Sequence, residues 1–237
     1  MKAVTLSIQQ RLQAVQQQIF QAEKRFGREA GSVHLLAVSK TRPAEDILAV
    51  YQTGQTAFGE NYLQEALEKI RQLADYDIHW HFIGPIQSNK TKDIARHFAW
   101  VHSIDRLKIA RRLSEQRPAE LPPLRVCIQV NIDKEASKSG VSPGGVLPLA
   151  KEIQKLPNLQ LKGLMAIPTA TTDFTSQRDA FARVRTIYEQ LQQTGISVDT
   201  LSMGMTNDLE AAIAEGSTMV RIGTAIFGPR QYKKPAD

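Results

Sequence analysis

Only one of the 237 residues is a cysteine, Cys127, so the chain forms no internal disulfide. Cys127 sits in LRVCIQVNI, an apolar, strand-like run in which a buried, inert thiol is expected. Aromatic residues are sparse at 6%, and there is no arginine-rich tail or ladder of aromatic and basic residues. Basic residues are interleaved with acidic ones, as in KRFGREA and EALEKIRQ, which argues against nucleic acid as a partner. No apolar run is long enough to span a bilayer, so no membrane association is expected. The opening segment MKAVTLSIQQRLQAVQQQ is too rich in glutamine for a secretory signal, and the cytoplasm is the expected compartment. The dinucleotide fingerprint G-x-G-x-x-G is missing, and no serine-triad signature is expected.

What remains is an ordinary globular composition, 42% hydrophobic and 23% charged. Thirty Lys and Arg against 24 Asp and Glu give a net charge of +6, a mild bias toward anionic small molecules. Ile8, Leu12, Val15, Ile19, Ala22 and Phe26 recur at helical spacing and predict an N-terminal helix. HLLAVS, TAFGEN, WHFIG, WVHSI, RVCIQVNI, LKGLMAI, TLSMG and MVRIG then read as short strands, apolar throughout. Helical stripes are expected between them: Leu63, Ala66, Leu67, Ile70 and Leu73; Ile104, Leu107, Ala110 and Leu113; Phe181, Val184, Ile187 and Leu191. Asn61 with Gln64 and Asn207 with Glu210 have capping-box spacing, and Ser142-Pro143 resembles an N-cap followed by proline. Alternating strands and helices argue for a parallel sheet. Eight units close into a single (β/α)8 TIM barrel of the α/β class, with an extra N-terminal helix, as one domain over residues 1–237.

In such barrels function sits at the C-terminal ends of the strands. That rim carries Lys40 on the first strand, Asn61 on the second, Ser202 and Gly204 on the seventh, and Arg221, Gly223 and Thr224 on the eighth. Arg221 lies deep in an apolar strand and needs a partner, either a carboxylate on a neighbouring strand or a ligand. Gly223 and Thr224, beside Ser202 and Gly204, have the makings of a phosphate cradle, although glycine turns are also ordinary loops. Lys40 closes the circle, because the first strand neighbours the eighth. It is a solvated strand end or a nucleophilic amine facing a phosphorylated aldehyde. His79 and His81 alternate on one strand and offer a rival zinc reading, but strands five, six and eight supply no further ligand.

The motifs LLAVSKTRP, FGENYLQEALEKI, WHFIGPIQSNK, SIDRLKIARRL, QVNIDKEASKSG, GLMAIP and LSMGMTNDLEAAIAEGSTMVRIGTAIFG resemble the pyridoxal-phosphate homeostasis family, the YggS/PROSC proteins. The resemblance implies a fold type III barrel like the N-terminal domain of alanine racemase. It implies pyridoxal 5'-phosphate (PLP) held as an internal aldimine on Lys40, with Ser202, Gly204, Gly223 and Thr224 around the phosphate. Arg221 then faces the pyridine nitrogen and Asn61 lines the cofactor. The implied role is to buffer or deliver PLP, with PLP-dependent apo-enzymes as partners, as a monomer and without robust turnover. A PLP-dependent amino-acid racemase is the alternative. Arg42 stands where the family also uses lysine, Lys138 is a basic rim residue, and Lys233 and Lys234 have no role that follows from the residues.

Overall fold

The computed structural model describes residues 6–133 and 139–229. Lys138, Lys233 and Lys234 lie outside the described residues. The strands are β1 His34–Val38, β2 Ala57–Glu60, β3 His79–Phe82, β4 Trp100–Ile104, β5 Leu124–Val130, β6 Leu159–Ala166, β7 Thr200–Ser202 and β8 Met219–Ile222. They pair in chain order, all parallel, into a closed barrel. Closure sets Leu36 opposite Arg221 and Ala37 opposite Ile222. Each strand coincides with one of the apolar runs, as a parallel sheet covered on both faces requires.

The helices are α1 Ile8–Arg25, α2 Ala44–Tyr51, α3 Leu63–Gln72, α4 Thr91–His97, α5 Leu107–Gln116, α6 Val146–Ile153, α7 Phe174–Gln193, α8 Leu209–Ala214 and α9 Thr224–Phe227. Two expectations change. Ile104 closes β4 and is not part of the helical stripe, because α5 starts only at Leu107. The capping boxes at Asn61 and Asn207 do not form: α3 is capped by Tyr62 and α8 by Asp208, neither with a side-chain cap bond. A capping box does exist at Ser7 and Gln10, at the start of α1. Ser142 is an N-cap with Pro143 after it, as expected, but of a short 3-10 turn and without a side-chain bond.

The N-terminal helix has a definite place in the barrel. The helix after β8, α9, is only four residues long. α1 packs against α8, α9 and α2, and so covers the side of the barrel that the short helix after β8 leaves open. Arg11 Nε donates to Ile226 O at 2.6 Å, and Arg25 pairs with Glu210 at 2.7 Å. The main core lies between strands and helices and includes Phe58, Ile94, Ile109, Leu113 and Phe181, all essentially without solvent contact. Truncating one of the phenylalanines to alanine costs about 3–5 kcal/mol. A second, small core of Trp100, Cys127 and Met165 belongs to β4, β5 and β6. Burial pushes the Cys127 thiol well above its ordinary range, which makes it the inert thiol expected.

Candidate functional site

A chain of buried polar contacts runs through the barrel, and two of its links, His102 to Ser202 and Arg221 to Ala166, join strands that are not neighbours. His81 Nδ1 lies 2.9 Å from His102 Nε2, and His102 Nδ1 lies 2.9 Å from Ser202 Oγ. Arg221 Nη1 donates to Ser202 Oγ at 2.8 Å and to the Ser202 carbonyl, and Nη2 donates to Ala166 O at 2.9 Å. The His81 ring stacks on Trp100, centroids 5.3 Å apart. All four polar residues of the chain are buried. Two tautomer sets satisfy every link: with Arg221 donating to Ser202, either the Ser202 hydroxyl donates to His102 Nδ1 and His102 Nε2–H to His81 Nδ1, or His81 Nδ1–H donates to His102 Nε2 and His102 Nδ1–H to Ser202 Oγ. Both imidazoles are neutral because they are buried. Burial, helped by Arg221, pushes His102 down to about 3, and burial with His102 beside it lowers His81 well below the usual range.

The partners of Arg221 are thus two carbonyls and a hydroxyl. No carboxylate of a neighbouring strand is bonded to it among the described residues. The Arg221 guanidinium is pushed down to about 10 by burial, against the opposing field of Asp208. It is still a cation at neutral pH. Ser202 and Gly204 serve this arginine directly, because Gly204 O also accepts from Arg221 N at 2.9 Å. Gly204 has φ +97°, and a Cβ there would lie 2.6 Å from Ala212 Cβ. Its glycine is required by conformation and by space.

The mouth of the barrel holds the other expected residues. Lys40 lines one small cavity with Val38, Arg42, Gly223, Thr224, Phe227 and Gly228. Arg42 is anchored away from the centre by the carbonyls of Gly228 and Pro229, at 2.5 and 2.7 Å. A side chain at Gly223 would meet Val38 O at 3.1 Å, so the backbone passes close to β1 there. Thr224 is exposed, and its hydroxyl bonds to no described residue. Asn61 Oδ1 is buried and has no hydrogen-bond partner, an unsatisfied acceptor at the end of β2. The expected cradle therefore divides. Gly223 and Thr224 share the cavity with Lys40, whereas the buried Ser202 hydroxyl is bonded to Arg221 and His102 and does not line it.

The loop that carries Lys40 is held from below. Lys69 Nζ, buried on α3, donates to Ser39 O at 2.8 Å, to Glu60 Oε1 at 2.7 Å and to Glu65 Oε1 at 2.5 Å. Ser39 Oγ donates to Glu60 Oε1 at 2.6 Å, and Thr41 N donates to Glu65 Oε1 at 2.6 Å. Burial raises the Glu60 carboxyl, and Lys69 opposes the rise. Thr41 has φ +63°. For a β-branched residue this left-handed conformation costs on the order of 1–3 kcal/mol. Sequence reasoning missed Lys69. The signal was its place three residues after Ala66 and six after Leu63, on the buried stripe of α3.

Two other chemistries find different surroundings. His79 is exposed beside Asp77 at the start of β3, and His81 is buried on the His102 side. Among the described residues no three His, Cys, Asp or Glu side chains are grouped as for a metal ion. Gly140-Val141-Ser142-Pro143-Gly144 has the G-x-S-x-G spacing, contrary to the expectation that no such signature occurs. Ser142 is exposed at the start of a 3-10 turn, and no histidine bonds to it, so the spacing builds no nucleophile elbow. No helix is long and apolar enough to cross a membrane among the described residues.

The alanine racemase N-terminal domain family matches residues 10–231. The pyridoxal phosphate homeostasis protein of Pseudomonas aeruginosa is 57% identical over 230 residues, 97% of this chain and 99% of that one. Among solved structures, PipY of Synechococcus elongatus PCC7942 with PLP bound superposes with a TM-score of 0.82. It is 35% identical, over 94% of this chain and all of that one. Alanine racemase of Clostridium difficile 630 shares the fold at 14% identity and a TM-score of 0.72, over 94% of this chain and 57% of that chain. By its fold, its length and more than half of its residues, this chain belongs to the pyridoxal phosphate homeostasis protein family.

Proposed function

We propose that this protein binds pyridoxal 5'-phosphate and takes part in PLP homeostasis, holding the cofactor and releasing it to PLP-dependent apo-enzymes. The observation that carries this reading is the meeting of Lys40, Gly223 and Thr224 in one cavity at the mouth of the barrel. Relatives named for this role, and a neighbour solved with PLP bound, support it. So does the fit of the residues. Gly223 leaves the backbone open where a Cβ would crowd Val38 O, the Thr224 hydroxyl is without a described partner, and Asn61 carries an unsatisfied buried acceptor.

In this reading Gly223 and Thr224 hold the phosphate, and Lys40 supplies the amine for a Schiff base with the aldehyde. Asn61 lines the ring, and Arg221 faces its nitrogen, held in place by Ser202 and Gly204. Bound PLP supplies an electrophilic aldehyde and an electron-accepting ring. Arg221 is cationic, so it keeps a proton off the nitrogen it faces, which favours storage over catalysis. The same reading takes the protein as a monomer without robust turnover, working in the cytoplasm.

The test is the visible spectrum of the protein with PLP, before and after borohydride reduction, with mass mapping of the labelled peptide. The expected result is a Schiff-base band, label on Lys40, and loss of both in Lys40→Ala. Label confined to another lysine, or an unchanged band in Lys40→Ala, refutes the assignment.

A further inference from the structure

The ion network under β1 has an unusual feature: its contacts end on backbone atoms on either side of Lys40. Lys69 Nζ holds Ser39 O at 2.8 Å, and Glu65 Oε1 holds Thr41 N at 2.6 Å. The two side chains are joined to each other at 2.5 Å, and Glu60 anchors Lys69 from β2 at 2.7 Å. Lys69 and Glu60 are almost completely buried. Stability alone gives a weak account of this arrangement. Burying a lysine against two carboxylates costs desolvation, and apolar side chains of the same volume join a helix to a sheet at least as well. The chain also accepts a left-handed threonine directly after Lys40. Thr41 is the only residue other than glycine with positive φ among those described. Strain of this kind persists only where the surroundings impose it.

We propose that Lys69 and Glu65 are positioning residues for Lys40. They clamp the backbone before and after it and hold Thr41 left-handed, so that the Lys40 amine faces the Gly223–Thr224 cavity. The proposal rests on the reading of Lys40 as the PLP-linking residue. Capture joins Lys40 Nζ to the aldehyde carbon and releases the carbonyl oxygen as water, so it needs no oxidant or reductant. Its rate depends on how well the amine is placed.

The experiment uses the full chain and PLP itself. Capture is followed by absorbance, borohydride trapping and peptide mapping, and hydrogen exchange at the Thr41 amide is measured without cofactor. Glu65→Ala removes the Thr41 acceptor and leaves the Lys69–Glu60 pair in place. It should slow capture at Lys40 by about tenfold or more and speed Thr41 exchange. Glu65→Gln keeps an acceptor oxygen and should stay within about threefold of wild type. Adding Thr41→Gly to Glu65→Ala should recover most of the lost rate, because glycine adopts the left-handed conformation freely. A purely structural tie predicts no such rescue. Lys69→Met should slow capture as well, and if that variant does not fold, the Glu65 series decides the matter. Wild-type label on Lys40 with unchanged capture and exchange in Glu65→Ala overturns the positioning role alone. Wild-type label elsewhere overturns the reading beneath it and the positioning role together.

Discussion

Arg221 donates from a single nitrogen, Nη1, to both the carbonyl and the hydroxyl of Ser202. Carbonyl and hydroxyl dipoles solvate the buried guanidinium without cancelling its charge. A hydrogen-bonded carboxylate would have left a neutral pair in the barrel interior. The interior thus keeps a positive group, and in the PLP-binding reading that sign has chemical consequences.

The first consequence concerns turnover. A ring nitrogen facing a cation resists protonation, and an unprotonated ring is a poorer sink for the electrons of a carbanion. With PLP bound, L-alanine should exchange its α-proton slowly at best and should not be converted efficiently to the D-form. Deuterium-exchange NMR and chiral chromatography measure both. Racemisation at ordinary enzyme rates, about 1–10³ per second, would make the enzyme reading correct.

A second expectation separates the phosphate from the rest of the ligand. Gly223→Val fills the space beside Val38 O and crowds the Gly223–Thr224 backbone. Binding of PLP should weaken by about 10–100-fold, the worth of one or two charge-assisted hydrogen bonds. Unphosphorylated pyridoxal, which lacks the anchored group, should change little. Titration of both ligands into both proteins is the measurement, and equal losses would remove the phosphate from this cavity.

Gly204 should behave differently. Its φ is +97° and its missing Cβ would collide with Ala212, so Gly204→Ala combines backbone strain with overpacking. The expected cost is about 1–3 kcal/mol, read from denaturant melts. Because Gly204 O accepts from Arg221 N, the damage should extend to the ring-nitrogen end of the ligand.

The histidine chain makes stability depend on acid. His81 and His102 stay neutral in the fold and titrate near 6.5 once unfolded, so the unfolded state binds more protons below that pH. Their contribution is intact above about pH 6.5 and falls with pH until the folded rings protonate, near 3 for His102. The slope is up to about 1.4 kcal/mol per pH unit for each ring. Melting temperatures between pH 7 and pH 4 should fall more steeply for wild type than for a His81→Phe, His102→Asn double variant.

Much of this architecture is written locally. A strand covered on both faces is apolar at most positions, and so each of β1 to β8 stands out as a short, mainly apolar run even where a histidine or an arginine interrupts it. Lys40, Gly223 and Thr224, which line one cavity, stand at the ends of such runs, which is why the rim is legible as a set of positions. The interior chain was not legible. His102 and Ser202 are 100 positions apart, and only closure of the barrel brings them together. Asn61 misled as a cap because its spacing to Gln64 is right, but α3 starts at Leu63 and leaves Asn61 outside. Lys69 has helix-surface chemistry, and its burial is decided by Glu60 on another element.

The place of α1 has a consequence for how the chain comes to be folded. Its bond from Arg11 to Ile226 joins residues 215 positions apart, and the β1–β8 pairing is nearly as remote. At about 5–20 residues per second, synthesis of the intervening chain takes on the order of 10–40 s. Throughout that interval the first helix has α2 but not α8 or α9 to pack against, and the first strand has one unpaired edge. Ring closure therefore cannot precede synthesis of β8, and the mouth lined by β1 and β8 cannot receive a ligand before it.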